Sequence, residues 1–243
     1  WSNSQSHILL AVIYAIHMPA FIFISGMLYK DKNYLKNIVF FVALFIPFQI
    51  LYPLFDMIWT GKFQWNWNFF ERPYWILWYL MGMMLWNLLT HFLIRTKIPL
   101  IIAIFLALSV GFSPWNNYDY SLGRVLVFLP FFVLGHLYGQ QLFLKAKQQK
   151  YAMVWAIAIY ACIAVVLGLT QLSQFWLYGS LSYQQLKVDM WDGMLIRLAC
   201  LLIASLGIFA IFASSRLLKG KFINLGVNTL PVYLLHGFVV IFI

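Results

Sequence analysis

Two histidines and one arginine lie inside otherwise apolar stretches of this chain. His17 follows AVIYAI, His236 follows PVYLL, and Arg124 precedes VLVFLPFFVLGH. A histidine within reach of a hydroxyl can act as a general base, and an arginine can bind a phosphate or a developing oxyanion. Ionisable groups in such surroundings are costly to bury and usually functional, so all three are candidate catalytic residues. The alternative for each histidine is a hydrogen bond to a neighbouring helix.

Four other residues are candidates for substrate binding. Ser25 follows His17 by eight residues, so on a helix the two would lie about 80° apart around the axis. Asn228 and His236 have the same spacing. Trp75 and Trp78 belong to an aromatic segment that follows the loop 57–73, and a flat ring suits the apolar face of a sugar. In that loop the hydroxyls of a sugar could be bound by Asn66, Asn68 and Glu71. An aromatic belt at a membrane interface explains the same rings, and both interpretations stay open.

The composition indicates the elements that must position these residues. Of 243 residues, 64% are hydrophobic and only 9% are charged, and the mean hydropathy is +0.85. Soluble domains contain roughly 25% charged residues. The chain is therefore predicted to be an all-α, polytopic transmembrane bundle in the lipid bilayer. Cys162 and Cys200 lie in apolar runs, which gives no support to a disulfide framework or a metal site.

About 20 apolar residues are needed to cross a bilayer as a helix. On that basis we predict eight spans, the fourth of which is short for a crossing, near 8–29, 37–56, 74–94, 98–112, 122–143, 151–171, 193–214 and 223–243. At 1.5 Å per residue, His17 lies about 14 Å below the outer surface and His236 about 20 Å above the inner one. These two histidines and Arg124 could therefore surround one cavity.

The net charge of +10 reflects topology and does not indicate nucleic acid binding. The loops after spans one, three, five and seven carry the single acid Asp31 and most of the basic residues: Lys30, Lys32, Lys36, Arg95, Lys97, Lys145, Lys147, Lys150, Arg216, Lys219 and Lys221. The opposite loops carry mostly acids: Asp56, Glu71, Asp119, Asp189 and Asp192, against Lys62, Arg72 and Lys187. By the positive-inside rule the first set is cytoplasmic, and both ends of this chain lie outside.

Arg197 lies a few residues into a span that starts from the outer side, and we expect its side chain to reach back to the lipid headgroups. His136 is expected towards the inner side, and His91 near the inner interface. Hydrolase, ATPase and metalloprotease functions lack support, because the chain contains no serine elbow, glycine-rich phosphate loop or paired helical His and Glu. From composition and spacing alone, the prediction stops at a multispan protein with a histidine-containing cavity.

Four stretches in order resemble the integral-membrane acyltransferase family 3, and more closely its fucose 4-O-acetylase-like branch of sugar O-acetyltransferases. These are HMPAFIFISGMLYK, PYWILWYL, LGRVLVFLPFFVLGHLYG and LGVNTLPVYLLHG. The resemblance implies about ten helices with both ends in the cytoplasm, so residues 1–243 would be a single membrane domain truncated at both ends. The family's first helix, with an arginine and a histidine regarded as central to catalysis, would precede Trp1.

The resemblance further implies a function at the plasma membrane. An acyl group, usually acetyl, would pass from acetyl-CoA to a hydroxyl of a cell-surface saccharide or its lipid-linked precursor, with no permanently bound cofactor and no metal. Because the family's first-helix histidine would precede Trp1, the base need not belong to residues 1–243. His17, a site residue in the family's HMP stretch, and His236 would then be neighbours that orient substrate or stabilise charge, and Arg124 would contact the donor or the oxyanion. A transporter or flippase for a lipid-linked glycan is the main alternative, and an inactive scaffold is a third.

Overall fold

The computed structural model describes residues 4–61, 71–113, 119–170, 172–215 and 229–242. These residues form an all-helical bundle without strands. In chain order the α-helices are α1 (Ser4–Leu28), α2 (Tyr34–Thr60), α3 (Trp78–Leu93), α4 (Pro99–Ser109), α5 (Leu122–Gln148), α6 (Ala152–Thr170), α7 (Gln174–Tyr178), α8 (Met190–Ser214) and α9 (Thr229–Phe242). Each of the eight predicted spans coincides with one of these helices, and α7 is additional.

Five of the described helices are long and apolar enough to cross a membrane, which agrees with the predicted polytopic bundle. They are Ile8–Leu28, Asp31–Thr60, Asp119–Gln148, Ala152–Thr170 and Met190–Ser214. The helices α3, α4 and α9 are shorter, at 16, 11 and 14 residues. The shortness predicted for the fourth span is confirmed, since α4 ends at Ser109 and a single 3₁₀ turn, Val110–Phe112, follows it.

Helix α3 is short because the chain before it enters the bundle without helical structure. Gln49, in the middle of α2, is 1% exposed and bonds the backbone of this segment twice. Its Nε2 donates to the carbonyl oxygen of Arg72 at 3.1 Å, and its Oε1 accepts from the amide of Tyr74 at 2.9 Å. Gln49 lies eleven residues before the end of α2, or about 16 Å below it. A buried amide side chain thus satisfies the irregular backbone that precedes α3.

Helix α5 is the centre of the main core and packs closely along α1. Gly26 of α1 faces the backbone of Phe132, and Gly135 of α5 faces the backbone of Phe23, so a Cβ atom at either glycine would collide with main-chain atoms. Small residues at such positions let two membrane helices approach. The helices α3, α4 and α8 surround α5 and complete this core.

Helix α9 packs on α2 through a stack of rings. Tyr52 of α2 lies between Tyr74 and Phe238, at centroid distances of 5.0 and 4.3 Å, and its hydroxyl donates to the carbonyl oxygen of Leu234 at 2.6 Å. Because Tyr52 is completely buried, these contacts fix the rotation of α9. They determine which face of α9 carries His236.

Candidate functional site

His17 of α1 and His236 of α9 lie within electrostatic range of each other but make no hydrogen bond or ring contact with each other. Both side chains are exposed. His17 packs edge-on against Phe21, with ring centroids 4.9 Å apart. That these two histidines surround one cavity therefore stays a prediction, and so do their catalytic roles.

The hydrogen bonds of His236 determine which ring nitrogen is available. Its Nδ1 lies 2.7 Å from the carbonyl oxygen of Tyr233 and 3.2 Å from that of Val232. A carbonyl oxygen only accepts, so Nδ1 must carry the proton. In the neutral ring this leaves the lone pair on Nε2. A histidine with an accessible Nε2 lone pair can accept a proton from a substrate hydroxyl.

Ser25 belongs to a small hydroxyl network between α1 and α3. Its Oγ donates to the carbonyl oxygen of Phe21 at 2.9 Å and lies 2.6 Å from the hydroxyl of Tyr79. Since the single hydroxyl proton of Ser25 points to the carbonyl, Tyr79 donates to Ser25. Tyr79 also contacts Tyr233, at a centroid distance of 5.4 Å, and Tyr233 contacts His236 at 5.9 Å. The network thus connects α1 to the α9 residue that orients His236.

Arg124, in the first turn of α5, is half-buried against aromatic rings. Its guanidinium carbon lies 5.1 Å from the centroid of Trp78 and 5.8 Å from that of Tyr178. Tyr178 in turn meets Tyr14 edge-on at 4.9 Å, and Tyr14 lies one turn before His17 on α1. Cation–π contacts of this kind hold a guanidinium plane in place.

The remaining predicted site residues differ in what the structure says of them. Trp78 contacts both Arg124 and Phe128, whereas Trp75 lies before α3 and is 51% exposed. Asn228, Asn66 and Asn68 lie outside the described residues. Among the residues that are described, no group of His, Cys, Asp or Glu could hold a metal ion.

The expectation for Arg197 was wrong. This side chain does not reach back to the headgroups. It is 1% exposed, and its Nη2 donates to the carbonyl oxygen of Leu181 at 2.9 Å. The segment that contains Leu181 and Tyr183, predicted to lie on the outer side, folds over the helix ends, where the Tyr183 amide donates to the carbonyl oxygen of Gly111 at 2.8 Å. Because this segment covers the start of α8, Arg197 has protein around it where lipid was expected.

The sequence interpretation missed a second polar cluster at the predicted inner face. Asp31, in the turn between α1 and α2, accepts from Nδ1 of His91 at 2.7 Å, from Nη2 of Arg95 at 3.3 Å and from the hydroxyl of Tyr29 at 3.0 Å. The ring of His91 stacks on Tyr34, with centroids 3.6 Å apart. The one available signal was the single acid in an otherwise basic loop, since an isolated carboxylate there needs partners.

Tyr29 binds this cluster as a donor. Burial, reinforced by the hydrogen bond to Asp31, raises the pKa of its hydroxyl well above the usual range, so the proton stays on the phenol. Tyr29 lies twelve residues after His17, which is about 18 Å along α1. At that separation the Asp31 cluster and the histidine pair cannot contact the same reacting atoms.

Comparison with known proteins gives one match. A family model described as an acyltransferase domain, that of acyltransferase family 3, matches residues 1–243. Searches among curated proteins and solved structures found no significant match. The resemblance seen in the four sequence motifs is therefore confirmed for the family, while the fucose 4-O-acetylase-like branch stays a prediction.

Proposed function

We propose that this chain, which belongs to acyltransferase family 3, is a membrane O-acetyltransferase of the fucose 4-O-acetylase-like branch. It transfers an acetyl group from acetyl-CoA to a hydroxyl of a cell-surface saccharide or its lipid-linked precursor. The observation that carries this proposal is the exposed ring of His236, whose hydrogen bonds to carbonyl oxygens leave Nε2 available as a base, within electrostatic range of His17.

The reaction balances with one histidine as a proton carrier. Nε2 of His236 takes the proton of the acceptor hydroxyl while the hydroxyl oxygen attacks the thioester carbonyl carbon. The tetrahedral intermediate collapses, the C–S bond breaks, and the coenzyme A sulfur leaves with the electron pair. The imidazolium returns its proton to that sulfur, so the products are an ester and a thiol. His17 stabilises the positive charge that forms on its neighbour during this cycle when its own ring is neutral.

Arg124 and the two tryptophans bind the substrates. The guanidinium of Arg124, which Trp78 and Tyr178 hold in place, points N–H donors towards negative charge that develops on the carbonyl oxygen. Trp75 is exposed and offers a ring face to the apolar side of a sugar. Ser25 and Asn228 bind hydroxyl groups of the acceptor. Orientation of the acceptor and the thioester by such groups supplies much of the rate enhancement.

The donor arrives from the cytoplasm. The loops with excess Lys and Arg, which the positive-inside rule assigns to the inner side, attract the phosphates of coenzyme A. The protein accordingly spans the plasma membrane several times, as a single membrane domain.

The test is mass spectrometry of surface glycans from cells that contain or lack the full-length protein. Loss of an acetyl mass from one sugar supports the proposal and identifies the acceptor. Complementation with H236A and H17A variants of normal abundance should not restore the acetyl mass. Unchanged acetylation, with lipid-linked precursor accumulating inside the cell, would replace this function by transport of the precursor.

A further inference from the structure

Five exposed basic side chains lie together where the turn between α1 and α2, with the first residues of α2, meets the turn between α3 and α4. They form what we call the basic patch: Lys30, Lys32, Lys36, Arg95 and Lys97. Asp31 joins the two chain segments, since its carboxylate accepts from Nδ1 of His91 at 2.7 Å and from Nη2 of Arg95 at 3.3 Å. Each lysine lies within five residues of Asp31 or Arg95 along the chain, and consecutive Cα atoms are only about 3.8 Å apart. The five charges are therefore close neighbours.

Two further contacts fix the patch on the bundle. The ring of Tyr34 stacks on that of His91, with centroids 3.6 Å apart, and Nδ2 of Asn37 donates to Oδ1 of Asn87 at 3.0 Å. Both contacts tie the first turn of α2 to the last turns of α3. A ligand that binds here does not have to order the backbone first, which lowers the cost of binding.

The charge of the patch is largely uncompensated. Five basic residues and the single acid Asp31 give a formal net charge of +4 with His91 neutral. Among the described residues, the ion pairs join Arg72 to Asp119, and His91 and Arg95 to Asp31. The four lysines of the patch take part in none of these pairs. Like charges so close together repel each other and attract an anion.

Apolar side chains adjoin the charges. Four of them are 51–70% exposed: Leu28, Leu35, Phe92 and Ile98. Leu28 is the last residue of the candidate span Ile8–Leu28, which places the neighbouring lysines at the level of the lipid headgroups. A soluble polyanion such as coenzyme A would match only the charges. A lipid matches both the charges and the apolar surface next to them.

We propose that the basic patch binds an anionic glycerophospholipid. The phosphate of the headgroup lies on the ammonium groups of the patch, and the acyl chains lie on the exposed apolar side chains that adjoin it. Clusters of roughly four to eight basic residues at the membrane end of a spanning helix are typical sites for anionic headgroups. A zwitterionic lipid binds less well, because its own cationic group meets the positive patch. The bound lipid bridges the two turns and stabilises the fold.

The first experiment measures the Tm of the full-length protein in neutral detergent with added phosphatidylglycerol or with phosphatidylcholine of the same acyl chains. We expect phosphatidylglycerol to raise Tm by at least about 3 °C over phosphatidylcholine, with saturation, because the ligand binds the folded state. Equal Tm values in the two lipids would overturn the proposal.

Two soluble phosphates separate a lipid site from a site for phosphate alone. Glycerol 3-phosphate and coenzyme A carry phosphate groups but no acyl chains, so neither should reproduce the increase in Tm. If either compound raises Tm as much as phosphatidylglycerol does and removes the effect of the lipid, the patch recognises soluble phosphates and the proposal is wrong.

Two triple variants with the same change in charge test the location. K30Q/K32Q/K97Q should lose the difference between the two lipids. The matched control K145Q/K147Q/K150Q changes three exposed lysines on the same predicted side and should keep it. Persistence of the difference in K30Q/K32Q/K97Q would contradict the proposal.

Hydrogen exchange tests the location without any variant and therefore remains decisive if the lysines are needed for correct insertion. With phosphatidylglycerol, the amides of residues 29–33 and 94–98 should exchange more slowly than with phosphatidylcholine, because the bound lipid opposes local opening of the two turns. The amides of residues 149–151 should not change. Equal slowing in all three segments would indicate a general effect of the anionic lipid and overturn the site.

Discussion

Two histidines of this protein, His236 and His91, are held in opposite ways. Nδ1 of His91 bonds the carboxylate of Asp31, its ring stacks on Tyr34, and its side chain is only 15% exposed. His236 bonds carbonyl oxygens of its own helix, contacts the ring of Tyr233 and is exposed. The same side chain thus has fixed surroundings at the end of α3 and an accessible ring on α9.

This difference suggests a structural role for His91 and a chemical role for His236. Hydrogen bonds around Asp31 join the α1–α2 turn to the end of α3, and each contributes roughly 0.5–1.5 kcal/mol to folding. The histidine pair makes no comparable contacts between helices, so its loss should cost little stability. A carboxylate-held histidine resembles a catalytic dyad, but what a base needs is an accessible lone pair near the substrate.

The largest effect is expected from H236A. Loss of the base should lower the rate of acetyl transfer by about 10²–10⁴-fold, because general-base catalysis contributes about that much. The Tm should change little, since the ring contacts few residues. Transfer rates with purified full-length protein, together with thermal unfolding, measure both quantities.

H91A is the matched control for this comparison. It should retain transfer activity within a few-fold and lower Tm by roughly 2–4 °C, since it removes the stacked ring and one hydrogen bond to Asp31. If H91A abolishes transfer and H236A does not, the assignment of roles is reversed.

A smaller effect is expected from R124K. Lysine keeps the positive charge but lacks the planar guanidinium that lies over Trp78 and Tyr178, so its N–H groups would be poorly placed to donate to the developing oxyanion. The transfer rate should fall about tenfold, less than for H236A, with Tm nearly unchanged. R72K, at an exposed arginine of the outer side, is the control and should leave the rate unaltered. A rate for R124K equal to that of the unaltered protein would remove Arg124 from the site.

The sequence was sufficient to predict the helices but not all of their surroundings. Apolar run length placed eight helices because bilayer thickness and helical rise determine both span and spacing. It did not predict the backbone before α3 or the segment over Arg197. Those irregular stretches depend on a few long-range hydrogen bonds, such as those from Gln49 to Arg72 and from Tyr183 to Gly111, which leave no periodic pattern in a sequence.

The same contrast holds for the candidate site. His17 and His236 were detectable because an ionisable residue is conspicuous in an apolar run. The Asp31 cluster was not, because its members come from a polar loop and a helix end, where charged residues are ordinary. Only tertiary structure shows that Asp31 and His91, sixty residues apart, share a hydrogen bond.

D31N measures how much the fixed cluster contributes. Asparagine keeps the shape of the side chain but removes the negative charge to which His91, Arg95 and Tyr29 donate hydrogen bonds. The Tm should therefore fall by roughly 2–4 °C, while the transfer rate stays within a few-fold of its original value. The double variant D31N/H91A should lose less than the sum of the two single losses, because the residues share one interaction. Additive losses would show that the hydrogen bond between them contributes nothing measurable.

The smallest effect concerns the basic residues at the end of α5 and just after it, Lys145, Lys147 and Lys150. Long-range attraction of the donor phosphates is a screened interaction, so replacing all three by Gln should raise the apparent KM for acetyl-CoA only a few-fold at low salt. The increase should disappear near 0.5 M salt, where the Debye length is roughly 4 Å.

A control variant with Lys62 and Lys187 changed to Gln, on the opposite side by the positive-inside rule, should leave KM unchanged. An unaltered KM for the triple variant would limit these lysines to setting topology. An increase that persists at high salt would instead indicate direct contact with the donor, which would place donor recognition on the same inner face as the Asp31 cluster and away from the histidine pair.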